Sequence, residues 1–64
     1  MDTKQAQMMN RIAYGIENGN VSRIRKLNHA QAETIALDAL NATGWKSIAA
    51  TKRYLSSKNI AYSL

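Results

Sequence analysis

Residues 44–55 read GWKSIAATKRYL. The stretch holds three bases (Lys46, Lys52 and Arg53), three hydroxyls (Ser47, Thr51 and Tyr54) and no acid. These are the side-chain types that bond phosphate oxygens and read base edges. On a helical projection Trp45, Ile48 and Leu55 share one face, with the stem of Lys52 beside them. Lys46, Ala49, Ala50 and Arg53 fall on the opposite face. Two small residues between two bases would let a helix backbone sit close to a groove, while the bases reach the phosphates. Ser47 and Thr51 would add hydroxyl contacts. A second basic block, Arg23, Arg25 and Lys26, is expected to hold an adjacent phosphate.

The same stretch resembles the C-terminal box of tyrosine recombinases and phage-type integrases. In that box a Gly-His pair is followed by Ser, by a Thr-Thr pair and by the nucleophilic tyrosine. Gly44, Ser47, Thr51 and Tyr54 stand at matching spacing, so the resemblance implies Tyr54 as the nucleophile. Trp45 replaces the histidine and Ala50 replaces one threonine. The upstream Arg and His-x-x-Arg elements are missing, and 64 residues are too few for that catalytic domain. A tyrosine hydroxyl without such activators is a weak nucleophile, so no catalytic residue is expected.

Other chemistries find less support. There is no cysteine, hence no disulfide and no thiolate metal site. The single histidine, His29, has no ligand partners near it in sequence and is expected at the surface, in the first helical position after Asn28. The four acids are scattered, and no glycine-rich phosphate loop is present. No cofactor and no metal are expected. Trp45 reads as a lid over a helix junction rather than a platform for stacked bases.

Charge points to a partner. The net charge is +5, unevenly spread. In residues 1–17, Lys4 and Arg11 offset Asp2 and Glu17. Residues 18–27 and 39–64 contain no acid, and the only acids between them are Glu33 and Asp38. Such asymmetry favours a polyanion, nucleic acid above all, or an acidic protein surface. No apolar run is long enough to span a bilayer, and the N-terminus lacks a signal-peptide layout. A cytoplasmic location without membrane contact is the expectation.

The elements that must position these groups are helices. The chain has no proline, three glycines and no phenylalanine, a composition that suits helix over sheet. Asp2 or Thr3 can cap a first helix with Ala6, Met9, Ile12, Ala13 and Ile16 on one face. Asn18-Gly19-Asn20 ends it. A short helix follows, with Val21, Ile24 and Leu27 along one side. Asn28 and Gln31 form a capping box for a central helix over residues 29–42. Its stripe is Ala32, Ile35, Ala36, Ala39 and Leu40, widened by Leu37 and Ala42. Gly44 terminates it, and the last helix is either capped by Ser47 or starts at Trp45. The central helix, the ATGWK turn and the basic helix after it resemble a helix-turn-helix. Ile60, Tyr62 and Leu64 alternate in a tail, residues 57–64, that would dock, extend the last helix or complete a homodimer.

The expected protein is one all-α domain over residues 1–64, a bundle of three to four helices with a marginal core. Its expected function is non-enzymatic DNA binding, as a small regulatory or accessory protein of the kind phages and mobile elements encode. The contacts are assigned to Arg23, Arg25, Lys26, Lys46, Ser47, Thr51, Lys52 and Arg53. The competing class is an inhibitor or adaptor that covers an acidic host-protein surface. RNA is less favoured than DNA, because no aromatic platform of the RNA-recognition kind is present.

Overall fold

The computed structural model describes residues 2–19 and 27–64. Three helices make up the described chain: α1 (Thr3–Gly19), α2 (His29–Ala42) and α3 (Ile48–Ser57). No strand occurs among the described residues. The all-helical architecture is as expected. The short helix expected after Asn20 lies outside the described residues. No helix among them is long and apolar enough to cross a membrane.

Local chemistry sets the helix limits. At the start of α1 the Asp2 carboxylate accepts the Gln5 N–H at 2.8 Å. Asn28 accepts the Gln31 N–H at 2.8 Å, and the Gln31 side chain accepts the Asn28 N–H at 3.0 Å. This reciprocal pair is the expected capping box, satisfying two donors that the first turn of α2 leaves unpaired. The end of α2 is a Schellman motif. The Trp45 N–H reaches the Leu40 carbonyl at 2.9 Å and the Gly44 N–H reaches that of Asn41 at 3.2 Å. Gly44 has φ +70°, a left-handed conformation that costs glycine nothing.

The end of α3 repeats this geometry. Ile60 N–H bonds the Leu55 carbonyl at 3.0 Å and Asn59 N–H that of Ser56 at 3.1 Å. Asn59 sits at φ 58°, where asparagine is among the few tolerated non-glycine residues. Ile60 then packs against the core, the apolar contact that accompanies the motif.

The core draws on all three helices. Met8, Ile12, Ala13 and Ile16 come from α1; Ala32, Ala36, Ala39 and Leu40 from α2; Leu55 from α3. The α1 stripe is turned slightly from the expected one. Met8 is inside, whereas Met9 is only partly buried against the cluster. The broad α2 stripe is narrower than expected: Leu37 and Ala42 are exposed. Alanines dominate the buried face of α2, so α1 approaches it closely. The helices α1 and α2 form the main packed pair, and α3 packs on α2.

His29 occupies the first position of α2 as expected, but it is not a lone surface side chain. Its Nδ1 lies 2.8 Å from Glu17 Oε2 across the helix pair, and its Nε2 lies 3.7 Å from Glu33 Oε1. The Tyr14 ring covers it, with centroids 4.7 Å apart. This clasp joins the end of α1 to the start of α2. Among the described residues, no group of three or more His, Cys, Asp or Glu side chains is placed to hold a metal ion.

Candidate nucleic-acid interface

Ser47 begins α3. Its backbone is extended at φ −163°, ψ 160°, and its Oγ accepts the Ala50 N–H at 3.1 Å. The cap uses the oxygen as an acceptor, so the exposed hydroxyl retains a proton to donate. Lys46, immediately before the cap, is exposed, and α3 has no acid in its first turn. A base here faces the positive end of the helix dipole, an arrangement that an anion would relieve.

Along α3 the exposed face carries Ala49, Arg53, Ser56 and Ser57, with Ala50 half-buried at its edge. The inner face carries Thr51 and Leu55, both fully buried, flanked by half-buried Ile48, Lys52 and Tyr54. Lys46 and Ser47, in the approach to α3, and Ala49 and Arg53, on the helix itself, are therefore all exposed. Lys52 lies at the flank, its stem against the protein, as long basic side chains often do.

Thr51 departs from its expected role. Its side chain has 0% exposure. The hydroxyl donates to the Ser47 carbonyl at 2.9 Å and meets Thr43 Oγ1 at 3.2 Å. It is a structural group inside the turn, unable to reach a phosphate. Arg23, Arg25 and Lys26 lie outside the described residues. Trp45 is a lid as expected: it packs against the core, and its Nε1–H donates to Asn41 Oδ1 at 2.9 Å. Tyr54 is half-buried against the same cluster.

Lys58 was not among the expected contacts, yet it is exposed at the C-cap of α3. Its Nζ stands 5.7 Å from the centre of the Tyr54 ring, within cation–π range. The signal for it lay in the acid-free block of residues 39–64, which contains it.

The electrostatics of this side are one-signed. Among the described residues, the ion pairs are those of His29 with Glu17 and with Glu33. No lysine or arginine among them is neutralised by a neighbouring carboxylate. No family model matches the chain, and no curated protein or solved structure matches it.

Proposed function

We propose that this protein binds DNA without catalysing a reaction on it, as a small regulatory or accessory factor. In this reading α2, the Thr43–Ser47 turn and α3 act as a helix-turn-helix-like unit. Lys46 and Arg53 meet the phosphates, Ser47 adds a hydroxyl contact, and Lys52 and Lys58 extend the positive field. The observation that carries the reading is the uncompensated charge of α3. Its bases have no acidic neighbour in sequence from residue 39 onward, and no ion pair absorbs them among the described residues. Small Ala49 between Lys46 and Arg53 supports close approach of the helix to a groove.

A salt titration on unrelated duplex DNA tests it. Binding at ~50 mM salt, with log affinity falling linearly in log salt, is the expected signature of counterion release. Absence of binding at that salt would remove the DNA reading. The alternative would then be an acidic protein surface, whose complex duplex DNA does not displace.

A further inference from the structure

We infer that residues 60–64 form a strap that fastens α3 to α1, with Gly15 and Gly19 as its seat. The helices α1 and α3 pack principally on α2 and share little surface with each other. The segment after α3 supplies the missing connection. The Schellman turn at Asn59 sends the chain back across the bundle. Ile60 and Tyr62 then pack against the core, and the Tyr62 hydroxyl meets Ser56 Oγ on α3 at 2.8 Å. One residue later the Ser63 N–H donates to the Gly15 carbonyl on α1 at 2.7 Å. The strap thus grips both helices by named bonds.

The seat is specific. Gly15 and Gly19 stand four residues apart, on one face of α1. A Cβ on Gly19 would collide with the backbone of Tyr62, and one on Gly15 with the side chain of Leu64. Neither glycine has positive φ, so the backbone of α1 does not require them. Glycine inside a helix is unfavourable relative to alanine. Close passage of the strap offsets that cost. The strap gives α3 an attachment beyond α2 and the Thr43–Ser47 turn. It does not depend on what α3 binds.

Glycine-to-alanine variants separate this role from helix propensity, because the two predict different Tm changes. Propensity alone makes Gly19→Ala, at the last residue of α1, raise the Tm slightly or leave it unchanged. The strap makes it lower the Tm, because the obstruction is backbone that cannot rotate away. Hydrogen exchange by NMR should then show the Ser63 amide losing protection and the α3 amides exchanging at least ~10-fold faster, while α1 and α2 change less. An unchanged or higher Tm with Ser63 still protected would overturn the inference. So would loss of Ser63 protection with α3 unchanged. If Gly19→Ala fails to fold, the milder Gly15→Ala decides. Its added Cβ overlaps the Leu64 side chain and also crowds the Ser63 carbonyl oxygen at 3.3 Å, so adding Leu64→Ala should restore Ser63 protection in part. Failure of that rescue would count against the strap.

Discussion

The hydroxyls of Thr43 and Thr51 meet at 3.2 Å, joining the end of α2 to the buried face of α3. Thr43 Oγ1 also lies 3.0 Å from the Ala39 carbonyl and 3.2 Å from that of Leu40. The pair pins the turn between the two helices with polar groups that are all satisfied; no buried side-chain N or O lacks a partner among the described residues. Thr51→Val removes one hydroxyl while the Ser47 carbonyl keeps its bond from the Thr51 N–H at 3.2 Å. The expected cost is about 1 kcal/mol, read by urea denaturation. DNA affinity should be unchanged, because the hydroxyl never reaches solvent. A large drop in affinity in a variant of near-parent stability would restore Thr51 to the interface.

Leu40 is fully buried between the helices and supplies the carbonyl that ends α2. Leu40→Ala should cost about 2–5 kcal/mol. In a chain of this length that is comparable to the whole core contribution. Thermal denaturation should show a collapsed or absent transition, and parent-like melting would contradict the packing described above.

Asn28 carries the capping box. Asn28→Ala breaks the bond to the Gln31 N–H but keeps the backbone N–H that the Gln31 side chain accepts, and should cost ~1 kcal/mol. Asn28→Ser should recover most of it, since a hydroxyl can accept the same N–H. Equal destabilisation in both variants, measured by denaturant midpoint, would mean that the cap is not what the side chain supplies.

Charge reversal at Lys46 and Arg53 should weaken DNA binding and flatten its salt dependence. The log–log slope should fall by about 0.9 for each phosphate that is no longer neutralised. Lys4 and Arg11 are exposed on α1, in the charge-balanced segment. Reversing them should produce only a small long-range effect. Identical responses from the two pairs would show that net charge matters and the α3 face does not.

Tyr54 has the spacing of a recombinase nucleophile, but its ring packs against the core with the Lys58 ammonium beside it. Incubation with a suicide DNA substrate should yield no covalent protein–DNA adduct. An adduct mapped to Tyr54 would overturn the non-enzymatic reading.

Helix limits were legible in the chain because capping is local chemistry, decided within a few residues. Asn28 with Gln31, Ser47 before Ile48, and Gly44 after Ala42 each act on backbone groups at short sequence distance, and all sit where their types place them. The outward setting of Ala49 and Arg53 was legible too, from helical period; Lys46 precedes the Ser47 cap, where that period does not apply. Thr51 shows where that reading slipped. It stands three residues after Ile48 and four before Leu55, on the core side by spacing, yet its hydroxyl suggested a surface role.

Other features needed the folded chain. A 3.6-residue period leaves the rotation of α1 undetermined by a fraction of a turn, so packing against α2 decided between Met8 and Met9. Glu17 meets His29 across twelve residues, and Ser63 meets Gly15 across a still longer separation. No local propensity encodes such pairs. By itself, the sequence determined an all-helical chain, the caps at Asn28 and Gly44 and an acid-free basic segment. Only tertiary packing decided that Thr51 turns inward, that His29 is clasped and that the last residues bind α1, because those outcomes depend on which surfaces meet after the helices have formed.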